Sequence, residues 1–173
     1  MTKQIAMAPG IRPMVHADLE LVLAWRNHPS VQSYMYTQQA IAPKEHLQWF
    51  ERTLADPRKQ LLIFEPDKKP LGYVSFSELV GGGIADWGFY SAPDAPKGTG
   101  QKLGRAALDY AFMHCKFHKV CGQVLASNER SFRLHQTLGF KQEGVLRDQY
   151  FDGNRYQDVI YFGLLIQEWQ SRS

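Results

Sequence analysis

Apolar positions along this chain recur first at strand spacing, then at helical spacing, then alternate again, and the switches mark the elements. Ile11 to Val15 (IRPMV) predicts a short strand. The run from Ala17 to His28 (ADLELVLAWRNH) places Leu19 and Leu23, with Val22 and Trp25 alongside, at helical spacing, and Pro29 ends it. A second helix is predicted over 43–56 (PKEHLQWFERTLAD), with Pro43 in its first turn and Leu47, Phe50 and Leu54 as its buried stripe. QLLIFE and LGYVSFSEL, separated by the turn-forming PDKKP, read as a hairpin, and IADWGFY after Gly81, Gly82 and Gly83 adds a strand. Thr99 to Lys116 is helical, with Leu103, Ala107, Tyr110 and Ala111 on one face. VCGQVLA is then a strand, NERSFRLHQTLGF a helix stopped by Gly139, and GVLRDQYF and RYQDVIYFGLLI a final hairpin turned at DGN. This order predicts a mixed α/β or α+β domain over 1–173, with a mostly antiparallel central sheet, helices on both faces and one β-α-β unit.

Composition narrows the function. In 173 residues the chain carries 20 basic and 17 acidic residues, a net charge of +3, scattered without the basic stripe that nucleic acid requires. No apolar run approaches the roughly 20 residues that span a bilayer. The two cysteines, Cys115 and Cys121, form no C-x-x-C pattern, and the N-terminus has no apolar h-region, so a reduced, cytoplasmic protein is expected. His114, Cys115 and His118 have metal-ligand chemistry, but no acidic or further His/Cys cluster completes a site, and basic residues suit a helix's last turn. No metal is expected.

The stretch PDAPKGTGQKLGRAAL, Pro93 to Leu108, carries the clearest chemistry: a strand, a glycine-bearing loop and a helix N-terminus in succession. First-turn N–H groups lack intrahelical partners and the helix dipole favours an anion there. Gly98 and Gly100 let the backbone approach such an anion, and Lys97 and Lys102 add positive charge. A phosphorylated ligand is one reading; a loop merely terminated by Gly98 is the other. Neither the Walker A spacing nor the third glycine of a dinucleotide fingerprint is present.

The run DWGFYSAPDAPKGTGQKLGRAALDYAF, followed by NERSFRLHQTLGFKQEG, resembles the GNAT superfamily of N-acetyltransferases, whose pyrophosphate loop reads roughly [QR]-x-x-G-x-[GA]. The resemblance implies a seven-stranded sheet with a splayed middle, acetyl-CoA as co-substrate and no metal. It implies that N–H groups around Lys97, Gly98, Thr99, Gly100, Gln101 and Lys102 hold the pyrophosphate, while the strand backbone at Phe89 and Tyr90 lies along the pantetheine arm. The family's leading Gln or Arg falls on Ala95, a departure that Lys97 offsets with its charge. A second landmark, N-x-x-[AS]-x-x-[LF]-[YFH]-x-x-x-G-F, falls on Asn128, Ser131, His135 and Gly139, with Asn128, Ser131 and His135 on one helical face. His135 stands where the family usually has the Tyr that protonates the departing thiolate.

Acetyl transfer needs a base to take the amine proton, donors for the oxyanion and an acid for the thiolate. Strand alternation sets Asp86, Gly88 and Tyr90 on one face; Asp86 is the expected base and the backbone N–H near Gly88 the expected oxyanion donor. His135 has two readings, an imidazolium acid with a pKa of about 6.5 or a half-buried helix histidine hydrogen-bonded locally. The front end, LAWRNHPSVQSYMYT with HLQWF, resembles the N-acetyltransferases of pseudaminic acid synthesis, which acetylate the C4 amine of a UDP-linked 4-amino-4,6-dideoxy-N-acetyl-altrosamine. For that acceptor Arg26 and His46 are expected on the diphosphate and Tyr34 and Met35 on the uracil or the sugar. Core packing is the alternative for Trp25 and Met35. The closing hairpin is shared with ribosomal-protein alanine N-acetyltransferases, which leaves a peptide acceptor open, and the departures at Ala95 and His135 leave open an acetyl-CoA-binding module without turnover. The implied partners are a small nucleotide sugar and, at most, a second copy of the chain in a homodimer.

Overall fold

A computed structural model describes residues 9–79 and 81–172. Seven strands form one sheet: β1 (Ile11–Pro13), β2 (Lys59–Phe64), β3 (Gly72–Glu78), β4 (Ile84–Ser91), β5 (Lys119–Leu125), β6 (Lys141–Phe151) and β7 (Tyr156–Leu165), in the order β1-β2-β3-β4-β5-β7-β6. Every pairing is antiparallel except β4 with β5. The α/β topology with helices on both faces is the one expected. Helices α1 (Leu19–Asn27), α2 (Pro29–Gln32) and α3 (Pro43–Leu54) belong to one face, and α4 (Thr99–Asp109) and α5 (Glu129–Leu138) to the other. Leu61 to Phe64 are buried at four consecutive positions because helices cover β2 on both sides. Two cores follow: Met14, Val22, Trp25, Phe50, Ile63 and Tyr73 beneath the front helices, and a larger one around Phe76, Trp87, Leu103, Phe112 and Phe162 beneath α4 and α5. Among the described residues no helix is long and apolar enough to cross a membrane.

Several boundaries differ from the periodicity. Leu54 is 58% exposed, and α3 buries His46, Phe50 and Thr53 instead. Those three recur at i, i+4 and i+7 and set the inward face; Leu54, at i+8, falls at the edge of that face but is the last residue of the helix, and its side chain stays exposed. The expected helix to Lys116 loses α-helical bonding at Asp109 and continues as a wider π turn over Tyr110–His114, where the Cys115 N–H donates to the Tyr110 carbonyl at 3.0 Å. The wider turn lets Tyr110, Ala111 and Phe112 all face the core. Pro29 ends α1 and opens α2. The last strand stops at Leu165, whose N–H donates to the Glu168 carboxylate at 3.0 Å and starts a short helix, α6 (Ile166–Gln170).

The feature that positions the site is the β4–β5 pairing. Ile84, Ala85 and Asp86 pair with Lys119, Val120 and Cys121, and there the pairing ends. β4 stays with β3 as far as Ser91, and β5 stays with β7 as far as Leu125, so the sheet opens into two halves beyond Asp86.

Candidate active site

The opening holds a cavity of about 500 Å³, walled by Asp86 to Ala92 of β4 and its exit, Gln123 to Leu125 of β5, the inner face of α5, and Val31, Tyr34, Met35 and Tyr36 of the front end. On the side turned to β5, the backbone of Trp87–Ser91 has lost its strand partner, leaving N–H and C=O groups for a ligand. Alternation sorts the β4 side chains as expected. Tyr90 packs with the front-helix core and stacks on Tyr73 at 5.1 Å, while Trp87 and Phe89 turn to the other face.

At one end of this cavity stands the N-terminus of α4. Gly98 is its N-cap, with φ of 85°, a left-handed conformation that glycine adopts without strain. Gly100 lines the cavity, but its φ is ordinary and a Cβ there would make only van der Waals contact with Leu134 and Ser91, so it is not held to glycine by conformation. The donors are fewer than the six expected. The Thr99 N–H donates to the Pro96 carbonyl (3.2 Å), and the Gln101 and Lys102 N–H groups both donate to the Gly98 carbonyl (3.1 and 3.2 Å). The N–H groups of Lys97, Gly98 and Gly100 have no backbone acceptor among the described residues. Thr99 is buried and its hydroxyl donates to the Pro96 carbonyl at 2.7 Å, whereas Lys97, Gln101 and Lys102 are exposed at the loop surface. Across the cavity Asn128 caps α5 by accepting from the Ser131 N–H at 3.1 Å; Asn128, Arg130, Ser131 and Leu134 line that wall.

His135 takes the second of its two readings. It is 2% exposed. Its Nδ1–H donates to the Ser131 carbonyl at 2.8 Å and its Nε2 accepts from the Trp87 indole N–H at 3.1 Å, which fixes a neutral tautomer with both nitrogens engaged. Burial lowers its pKa to about 4, only partly offset by the bond to Ser131. The expected imidazolium acid is therefore absent near neutral pH: the ring carries no proton free to reach a thiolate. The pair lies against the β5 backbone at Gly122, where a Cβ would sit 2.5 Å from His135 Nε2 and 2.8 Å from Trp87 Nε1.

Asp86, the last residue of the parallel pairing, is half-buried, and burial raises its pKa above the ordinary carboxylate value. Gly88, two residues on, is exposed in the cavity wall. Tyr34 and Met35 also line the cavity. Arg26 and His46 do not come to it with them. His46 is buried beneath the front end, stacked on Trp49 at 5.0 Å, and burial lowers its pKa. Arg26, expected on the diphosphate, is half-buried and donates from Nη2 to the Thr37 carbonyl at 2.8 Å, with Nη1 buried and unpaired. Neither is among the residues that line the cavity. Trp25 is core, as its alternative reading had it. Among the described residues no group of three His, Cys, Asp or Glu side chains could hold a metal.

Tyr36, Gln123, Trp87 and Arg130 are cavity residues that sequence reasoning passed over. Tyr36 adjoins two residues that were singled out, and the aromatic density of SYMY was its only local sign.

The GNAT acetyltransferase domain family matches residues 10–141. The chain belongs to that family. As a GNAT acetyltransferase it is an enzyme that uses acetyl-CoA, not a module that only binds it, and the splayed strands and the glycine-capped helix fit that co-substrate. Among curated relatives, the Acetyltransferase PseH of Campylobacter jejuni is 29% identical over 71% of this chain and 76% of its own length. The Spermidine N(1)-acetyltransferase of Vibrio cholerae is 26% identical over 94% and 96%. The crystal structure of spermidine N-acetyltransferase from Vibrio cholerae in complex with CoA and spermine superposes with a TM-score of 0.86 at 25% identity, covering 92% of this chain and 96% of that one.

Proposed function

We propose that this GNAT acetyltransferase moves the acetyl group of acetyl-CoA to the C4 amine of a UDP-linked 4-amino-4,6-dideoxy sugar. The observation that carries the reading is the charge of the cavity wall: Asp86 is its one carboxylate among the described residues, set among Tyr34, Met35, Tyr36 and Trp87. A polyamine brings several ammonium groups into a site, each needing an anionic or hydrogen-bonding partner once desolvated. One carboxylate suits one amine, and the aromatic and thioether surfaces suit a deoxysugar's apolar face. The front-end resemblance to the pseudaminic acid enzymes and the relationship to PseH support the same acceptor.

In the proposed reaction Asp86 takes the ammonium proton, directly or through one water, and its raised pKa improves it as a base. The neutral nitrogen attacks the thioester carbon, and the carbonyl oxygen, now an oxyanion, accepts from the backbone N–H near Gly88. As the tetrahedral intermediate collapses, the C–S bond breaks and the thiolate leaves with its electron pair; the attacking nitrogen gives up its second proton to water, and water in turn protonates the thiolate in place of His135. A coenzyme A thiol, with a pKa of about 8.5, leaves without an acid more readily than an alkoxide would.

The relatives named for spermidine favour the second acceptor. Thiol release measured with the UDP-4-amino sugar, with spermidine and with a peptide beginning in Ala or Ser separates the three. The expected result is a kcat/KM at least 10²-fold higher for the sugar nucleotide, with free UDP competing against it. Faster turnover of spermidine or peptide overturns the acceptor assignment.

A further inference from the structure

Residues 33–42, between α2 and α3, cross the mouth of the β4–β5 opening with mostly exposed side chains. Their two ends are held differently. At the base, the Asn27 amide bonds the Ile41 carbonyl and N–H, each at 2.9 Å, and Arg26 bonds the Thr37 carbonyl at 2.8 Å. At the far side the ties come from the other half of the sheet. The Tyr36 hydroxyl donates to Gln123 Oε1 on β5 at 3.0 Å. The Tyr150 hydroxyl on β6 donates to the Tyr36 carbonyl at 3.1 Å, and the two tyrosine rings meet edge to face at 5.3 Å. Gln123 lies two residues beyond Cys121, the last β5 residue paired with β4, so the Tyr36–Gln123 bond spans the gap just where it opens. Asp86, whose charge acts on the Tyr36 phenol, lines the same cavity.

We propose that Tyr36 and Gln123 are the specificity-determining pair of the acceptor passage: the bond between them ties residues 33–42 across the β4–β5 opening and sets the width through which an amine reaches Asp86 and the thioester. The inference rests on the acetyltransfer reading of the cavity. Neither residue takes part in bond making; the phenol and the amide position the strap that carries Tyr34 and Met35. A bulky, rigid amino sugar enters beneath a fixed strap, whereas a thin, flexible polyamine gains when the strap loosens.

Tyr36→Phe removes the hydroxyl and keeps the ring, and Gln123→Ala removes its acceptor. In each, the KM for the UDP-4-amino sugar is expected to rise about three- to ten-fold, the worth of one neutral hydrogen bond, with the KM for acetyl-CoA unchanged. The ratio of kcat/KM for spermidine to that for the sugar is expected to rise by a similar factor. The double variant is expected to be no worse than either single one, because both remove the same bond. Hydrogen exchange without any acceptor supplies an independent arm: amides of 33–42 are expected to exchange faster in both variants, with α4 unaffected. Unchanged exchange overturns the tie whatever the acceptor is. Faster exchange with an unmoved spermidine-to-sugar ratio overturns the role in specificity. Failure of the wild type to acetylate either amine counts against the acceptor reading, while the exchange arm still decides the tie.

Discussion

His135 is neutral because burial disfavours the imidazolium, an effect that the bond to the Ser131 carbonyl opposes only in part, and because its Nε2 lone pair is taken by the Trp87 indole N–H. Its pKa is lowered from 6.5 to about 4, so the unfolded chain binds a proton there at a higher pH than the native one. The stability held by this group is therefore complete above about pH 6.5 and is lost as pH falls towards 4, a loss of about 3 kcal/mol. Urea midpoints measured from pH 7 to pH 4.5 should show that slope in the wild type and a shallower one in His135→Gln. The pH profile of kcat should have the same shape in both, because the imidazole transfers no proton. Gly122→Ala tests the same packing from the β5 side: its Cβ would displace two buried rings, and overpacking of this kind costs about 1–3 kcal/mol, visible as a lowered thermal midpoint. The local bond to Ser131 was one of two readings open in the sequence; the bond to Trp87 that decides between them was not legible there. Helical spacing put His135 on the face of Asn128 and Ser131, but its protonation state depends on Trp87, 48 residues away.

At the scale of elements, the seven strands and the longer helices were legible, because the short apolar run Leu61–Phe64, bounded by turn residues, and helical spacing along Leu103, Ala107 and Tyr110 reflect burial directly. The π turn, α2 and α6 were not: each is five residues or fewer, too short to establish a period. The loop before α4 was the most legible part of the site, since glycine, lysine and a helix start are all local features. Its conformational requirement falls on Gly98 alone. Gly98→Val, forced into positive φ, should lower acetyl-CoA affinity by at least ten-fold in calorimetry with the fold retained, whereas Gly100→Ala should change it little. Asn128→Ala should cost about 1 kcal/mol of stability through the lost cap of α5, read from denaturant midpoints. Arg26 was misplaced because the sequence shows which residue is cationic but not which way its helix is rolled. Arg26→Ala should loosen 33–42 and raise the acceptor KM without abolishing inhibition by free UDP.

For the whole molecule, the sheet is two antiparallel halves joined by three residues of parallel pairing, and the proposed reaction lies where that join ends. Net charge and composition excluded nucleic acid and metal as expectations but did not separate acceptors, because the feature on which the proposed acceptor rests is spatial: among the described residues one carboxylate, Asp86, stands in the wall of the cavity. If Asp86 is the base, kcat/KM should fall on the acid side with an apparent pKa above the ordinary carboxylate value. Asp86→Asn should remove that limb and lower kcat by about 10² to 10⁴. Acetyl-CoA is proposed to lie in the gap between β4 and β5. Amide hydrogen exchange of the wild type with and without coenzyme A, followed by mass spectrometry of its peptides, tests this most directly. Protection is expected to concentrate on Trp87–Ser91 and on Gly98–Lys102. Protection that leaves both segments unchanged and falls instead on the surface groove of Arg105, Asp109, Trp169 and Arg172 would contradict it.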